Sequence, residues 1–214
     1  MKTRLQIIRF FFSIVLLYSC NDKENSQELT KRAVQIYLDH ELDEDKKINQ
    51  SLSLINSALN YDSENIAALN HKRTLLFYKK DIEGLLNLSD KFLEIAPNSP
   101  FYLGQKGLYL EIDGDIKLAN TYYDKAITTY EKRLRKDSLN FDLYIEYLGI
   151  LGLAGDSSTV DIELKKLKNQ NLENYQHDIL NHMEEKQIFY PKDLIINYFE
   201  GNVDYKDIEN SMSN

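Results

Sequence analysis

Histidine is the side chain that most often does acid–base chemistry or holds a metal near neutral pH, and this sequence has four: His40, His71, His177 and His182. His177 and His182 lie five residues apart, which separates them by about 140° around a helix, so they do not share a face. The sequence contains no zinc-protease, nucleophile-elbow, P-loop or dinucleotide-binding motif. It therefore predicts a protein that is not an enzyme, with no cofactor and no metal site.

A dense acidic run, Asp39–Asp45 (DHELDED), is the second group of side chains with chemical potential. Its spacing does not match a calcium loop, which needs a central Gly and a final Glu. The pattern places the run at the end of a first helix and in the turn after it, where acidic side chains are mildly unfavourable beside the helix dipole. It is either a solvated turn or a contact for a cation or a basic peptide.

The single cysteine, Cys20, excludes a disulfide framework and a cysteine-based zinc site. It follows a basic start (1–9), an apolar run (FFFSIVLL) too short to span a bilayer, and Leu17-Tyr18-Ser19. This segment resembles the signal peptide and lipobox of bacterial lipoproteins. The resemblance implies cleavage after Ser19, with Cys20 lipidated and holding the protein on a membrane through its acyl chains. The alternative is an ordinary secretory signal with a chance cysteine.

Composition and charge narrow the class of the mature chain. The 214 residues carry a formal charge of −8, and loss of residues 1–19 removes three basic side chains and leaves 195 residues at −11. This acidic balance argues against nucleic acid as a partner. Hydrophobic residues make up 43 %, while only eight Gly and three Pro occur, which favours a folded helical protein. Residues 20–27 read as a polar tether between lipid and fold.

A repeat of 34 residues organises the rest of the chain. A shift of 34 aligns Leu42 with Leu76 and Leu110, and Asp81-Ile82 with Asp115-Ile116. A shift of 41 then aligns Gly114-Asp115 with Gly155-Asp156. Many coincidences at one period are stronger evidence than any single motif.

This period, and the copy that starts at Pro100, resemble the tetratricopeptide repeat (TPR), two antiparallel helices joined by a tight turn. The copy supplies the family's repeat-packing positions: Leu103, Gly107, Leu110, Gly114, Ala119, Tyr123 and Ala126. The resemblance implies an all-α, right-handed α-solenoid of about four helix pairs within residues 28–200, with copies at 32–65, 66–99, from Pro100, and at 141–174. An irregular helical bundle is the alternative.

Seven extra residues separate the third and fourth copies, within Thr129–Lys136. Since seven residues make two helical turns, they lengthen a helix by about 10 Å and keep its apolar face. The sequence thus predicts a long second helix that protrudes from the stack. Its cations, Lys132, Arg133, Arg135 and Lys136, either complement the helix dipole or contact an acidic partner or anionic lipid headgroups.

Beyond the fourth copy, Leu172–Ile188 and a short segment from Pro191 read as one or two capping helices, because an open repeat stack exposes its core. Gly201 ends the second of them. Residues 201–214 read as a polar tail.

The TPR resemblance also implies a concave groove lined by the first helix of each pair. Transferred to this chain, its positions are Ile36, His40, Asp43, Asn70, Thr74, Phe77, Gly104, Leu108, Glu111, Asp142, Ile145 and Gly149. Apolar side chains beside acids suit a partner segment with hydrophobic anchors and basic flanks. Alternatively, several of these side chains pack between repeats.

These features predict a non-enzymatic protein–protein interaction scaffold in the bacterial cell envelope. It is held by the lipid on Cys20, with the outer membrane, on its periplasmic or surface side, as the expected location. A glycan-binding surface lipoprotein of a nutrient-uptake system is the first alternative, although the chain has no Trp to stack on sugars. A hydrolase on a helical frame is the second, and it predicts a pocket with perturbed titratable groups.

Overall fold

The computed structural model describes residues 22–185 and 192–208, and all regular secondary structure in these ranges is helical. The predicted all-α class is therefore confirmed. The described chain forms two compact units, divided after Asp81. Within each unit, consecutive helices pack against each other, as in a helical solenoid. The predicted signal peptide (1–19) and Cys20 lie outside the described residues.

The first unit contains three helices: α1 (22–37), α2 (Glu44–Tyr61) and α3 (Ile66–Tyr78). Its core is built from small and branched side chains at helical spacing, which are Ala33, Ile48, Ile55, Ala58, Ala68 and Leu75. Asn65 begins α3 by accepting a hydrogen bond from the Ala68 N–H, and its side-chain amide donates to Ser26 on α1. One polar side chain thus caps α3 and ties it to α1.

The second unit contains the remaining described helices. They are α4 (Ile82–Ile95), α5 (Pro100–Ile112), α6 (Ile116–Leu134), α7 (Phe141–Leu153), α8 (Ser157–Lys168), α9 (Asn174–Glu185), α10 (Lys192–Glu200) and α11 (205–208). Helices α5 and α6 form the most extensive pair. The main core joins α5 to α9 through large side chains such as Tyr130, Tyr144, Leu148 and Leu180.

The helix starts follow the spacing that the sequence indicates. Helices α3, α5 and α7 have 13 residues each and begin at Ile66, Pro100 and Phe141, so they are 34 and 41 residues apart. Each follows a polar residue whose side chain accepts a hydrogen bond from an N–H in the first turn: Asn65, Ser99 and Asn140. These caps satisfy backbone donors that have no partner inside the helix.

The turns that end α3, α5 and α7 share one geometry. The residue after each helix cap has a positive φ: 54° at Lys80, 96° at Gly114 and 80° at Gly155. The next N–H then reaches back to a carbonyl five residues earlier, as Asp115 does to Leu110. This left-handed ending favours glycine, so the two Gly-Asp turns relieve a strain that Lys80 retains.

The insertion within Thr129–Lys136 lengthens α6 to 19 residues, against 14 in α4. The added part does not protrude freely, because Tyr130 and Leu134 are buried in the core with α7 and α8. The expected protrusion was wrong since the extra turns continue the apolar face of α6, and α7 packs on it. Lys132 and Arg133 occupy the last turn, where they complement the helix dipole.

Two expectations for the start of the fold were wrong. Residues 22–27, expected in the tether, form the start of α1, and Ser26 is fully buried against Asn65. The first copy was placed at 32–65, but α1 ends at residue 37 and Leu42 lies in the connection to α2. The acidic run explains the early end, since Asp39 accepts a hydrogen bond from the Glu41 N–H and Asp43 caps α2.

The C-terminal region also differs from its prediction. Helix α9 packs on α8 and buries Leu180 in the main core, as a cap does. Helix α10 instead packs against α5, more than 80 residues earlier in the chain. Part of the expected polar tail is folded, because residues 205–208 are helical and Ile208 is 3 % exposed. Residues 209–214 lie outside the described part.

Candidate functional site

The predicted groove residues of the first copy do not form one face. Ile36 lies on α1 and is half-buried, His40 is exposed in the connection 38–43, and Asp43 is the N-cap of α2. The Lys46 side chain and N–H hydrogen-bond to Asp43 and hold the pKa of this exposed carboxyl below its usual value. Because α1 ends early, these three side chains belong to three different local structures.

The other predicted groove residues lie on helices, with different exposure. Asn70, Thr74 and Phe77 form a half-exposed row along α3. On α7, Asp142 is exposed in the first turn, and Ile145 is half-buried against the main core. On α5, Leu108 is 5 % exposed and the Glu111 side chain 13 %.

Gly104 and Gly149 show why a groove transferred by position fails in places. A Cβ added at Gly104 would lie 2.2 Å from Ile150 Cδ1, so Gly104 is a packing contact between α5 and α7 and does not line a groove. A Cβ at Gly149 would meet nothing within 4 Å.

The predicted repeat-packing residues are placed as packing residues. Leu103, Gly107, Leu110, Ala119, Tyr123 and Ala126 are all buried, while Gly114 forms the turn with positive φ. A Cβ at Gly107 would lie 2.8 Å from the Tyr123 ring and 3.2 Å from the Ala119 carbonyl oxygen. The missing side chain of Gly107 is therefore what lets the Tyr123 ring lie flat against α5.

The position of the Tyr123 ring builds a polar site at the end of α5. Its hydroxyl donates a hydrogen bond of 2.9 Å to Glu111 Oε2. Burial, and then the charge of Glu111, raise the pKa of Tyr123 well above its usual value, so the hydroxyl stays protonated and remains a donor. Lys192 of α10 completes the site, with its Nζ 2.6 Å from Glu111 Oε1.

We call Leu108, Glu111 and Tyr123 the α5 site. Lys192 approaches it so closely that its Nζ lies 5.8 Å from the centre of the Tyr123 ring, within cation–π range. The Lys192 side chain is 20 % exposed, so this ion pair is largely removed from water. A predicted groove residue of α5 is thus already bound by the chain's own C-terminal helix.

Two further tyrosine–glutamate pairs occur in the second unit. Tyr130 donates to Glu146 at 3.0 Å and Tyr144 donates to Glu163 at 2.6 Å. Glu163 takes its cation from Lys166 on its own helix. Among these three pairs, the Glu111 pair alone has a cation supplied from a distant helix. Sequence reasoning missed Lys192, because residues 81 positions apart leave no periodic signal.

A second concave feature lies between the end of α4 and the face of α6. It is a cavity of about 680 Å³ whose lining includes Pro97, Asn98, Tyr122, Lys125 and Lys132. Lys125 and the buried Lys106 each place their Nζ 5.1 Å from the centre of the Tyr122 ring. Lys106 also pairs with Asp90.

In the first unit, Ser51 and His71 lie side by side, with 2.8 Å between Ser51 Oγ and His71 Nε2. The Ser51 hydroxyl donates its proton to the Ala33 carbonyl, so it accepts from the protonated Nε2 of His71. Burial lowers the pKa of His71, which keeps the ring neutral at pH 7. This arrangement connects α1, α2 and α3, and it leaves the serine proton facing away from the imidazole.

Within 22–185 and 192–208, no three His, Cys, Asp or Glu side chains are grouped so that they could hold a metal ion. None of the helices in these ranges is long and apolar enough to cross a membrane. No protein-family model matches the chain, and no curated protein matches it significantly.

Proposed function

We propose that this chain is a TPR-like, non-enzymatic scaffold that a lipid on Cys20 holds on a membrane of the bacterial envelope, where it binds a protein partner. The observation that carries the proposal is the row of half-exposed side chains on α3, Asn70, Thr74 and Phe77, at the positions where TPR proteins contact their ligands. An aromatic residue between polar neighbours supports recognition of a partner segment that has a hydrophobic anchor.

The helix register supports the same proposal. Helices begin 34 and 41 residues apart, glycines at the turns have positive φ, and Gly107 admits the Tyr123 ring. Stacked hairpins of this kind present one extended surface, which suits binding better than catalysis. The buried Ser51, whose hydroxyl proton goes to Ala33, lends no support to a serine hydrolase.

Site-specific photo-crosslinking tests the binding proposal in cells. A photoreactive amino acid at position 77 on α3 is compared with one at position 162, where Ile162 is exposed on α8. We expect a discrete protein adduct at position 77 that is absent at position 162. The same adducts at both positions, or none at position 77, contradict the proposal.

The anchor is tested separately. Labelling with a clickable palmitate analogue should mark the wild-type chain, and Cys20→Ser should abolish the label and release the protein from membranes. An unlabelled wild-type chain, or a variant that stays on the membrane, contradicts a lipid on Cys20.

A further inference from the structure

We propose that the α5 site binds a short amphipathic helix that begins with a basic residue, and that α10 is its resident occupant, which a partner helix displaces. The identity of the partner rests on the proposed function. The exchange of α10 for another helix does not, because it can be measured on the purified chain.

The two charges of the Lys192–Glu111 pair explain why α10 is held at this place. Lys192 is the first residue of α10, and Glu111 lies in the last turn of α5. A cation at a helix N-terminus and an anion at a helix C-terminus are each disfavoured by their own helix dipole. Each charge therefore gains from its partner on the other helix, and Glu111 without Lys192 keeps only the Tyr123 hydroxyl.

The Tyr123–Glu111 pair is specific to one copy of the repeat. A shift of 34 residues places Phe77 and Ser89 at these two positions, and a shift of 41 places Gly152 and Leu164 there. Only the copy with α5 combines a carboxylate with a tyrosine that orients it. The site thus depends on two residues that the repeat architecture does not require.

The sequence of α10 defines the chemistry that fits. Ile195, Ile196 and Phe199 follow Lys192 at i+3, i+4 and i+7, so the basic residue and three apolar side chains share one face. All three apolar side chains are half-buried, as expected for a helix that lies on a surface and does not enter a core. A partner helix with the same spacing presents the same face.

The tether makes α10 a strong competitor. A segment joined to its own site acts at an effective concentration on the order of millimolar, so a free helix of equal affinity binds poorly until α10 is weakened. Lys192→Glu weakens it selectively, since it opposes two carboxylates and leaves the Tyr123–Glu111 bond in place.

The test uses a fluorescent synthetic peptide of residues 192–208, titrated into the full chain. We expect the peptide to bind the Lys192→Glu protein at least tenfold more tightly than the wild type. A peptide whose own first lysine is replaced by glutamate should not bind the variant. Lys206→Glu is the matched control, because Lys206 is exposed on the same segment and this protein should bind the peptide as the wild type does.

Hydrogen exchange on the same proteins provides an independent readout. Lys192→Glu should accelerate amide exchange in α10, Lys206→Glu should not, and the double variant Lys192→Glu with Glu111→Lys should restore protection. Lys192→Ala serves the same purpose if the glutamate variant folds poorly.

Equal peptide affinity for wild type and variant, or unchanged exchange in α10, overturns the proposal. A missing crosslink at position 77 contradicts the proposed function alone, and it leaves the peptide result intact.

Discussion

Helices α3 and α5 occupy equivalent places in the repeat, yet they present opposite surfaces. Thr74 and Phe77 of α3 are half-exposed, whereas Leu108 and Glu111, 34 residues later, are largely buried. The difference arises from two substitutions at equivalent positions, because Gly107 stands where α3 has Arg73, and Tyr123 stands where α4 has Ser89. A glycine and a tyrosine thus turn an open helix face into a polar site that a distant segment covers.

The largest predicted effect separates the two units by pH. Burial and nearby carboxylates raise the pKa of several tyrosines in the second unit, including Tyr147, to about 12. Since these folded-state pKa values lie above the unfolded value near 10, their stabilisation is complete below about pH 10 and is lost as the pH rises further. Helix content by circular dichroism should collapse together with tyrosinate absorbance above pH 10.

Variants assign this alkaline transition. Tyr147→Phe removes a titrating hydroxyl, so helix content should persist to higher pH than in the wild type. Tyr61→Phe, at an exposed tyrosine of α2, is the control and should leave the transition unchanged. Identical midpoints in all three proteins contradict this interpretation.

Truncating the aromatic side chains should show the next largest contrast. Tyr123→Ala removes a ring that is 2 % exposed and should lower the free energy of unfolding by about 3–5 kcal/mol. Phe77→Ala removes a half-exposed ring and should cost about 1–2 kcal/mol. Urea unfolding measures both, and equal costs would show that the two helix faces do not differ in burial.

Glycine-to-alanine substitutions test the close approach itself. Gly107→Ala places a Cβ 2.8 Å from the Tyr123 ring, and this overpacking should cost about 1–3 kcal/mol. Gly149→Ala makes the same change in α7 with nothing within 4 Å, so it should stabilise by about 0.5–1 kcal/mol. Changes of the same sign in the two urea unfolding curves contradict this account.

The smallest effect concerns the first unit at mildly acidic pH. Burial lowers the folded-state pKa of His71, so its contribution is present above the unfolded value near 6.5 and is lost as the pH falls through the folded value. Between pH 7 and pH 5, the protection of α3 amides, corrected for intrinsic exchange rates, should fall more in the wild type than in His71→Gln. The glutamine amide keeps a donor for Ser51 without titrating, so equal losses exclude His71 as the cause.

Much of the helix register could be predicted because it depends on local signals. Polar caps such as Ser99 and Asn140, and the turn residues Gly114 and Gly155, act within a few residues of the boundary they set. The first copy was misplaced because the repeat pattern carried Leu42 onto a helix, while Asp39 and Asp43 ended α1 and began α2 by local hydrogen bonds. Where a period and a cap disagreed, the cap decided.

The sequence by itself determined the helical class, the spacing of the helix pairs, and the small residues where helices meet, since each follows from periodicity and backbone stereochemistry. Only the tertiary structure decided that α10 packs on α5, that Lys192 pairs with Glu111, and that the added turns of α6 are buried. The physical reason is range. Caps and turns act between near neighbours, whereas an ion pair between residues 81 positions apart depends on how the whole second unit folds.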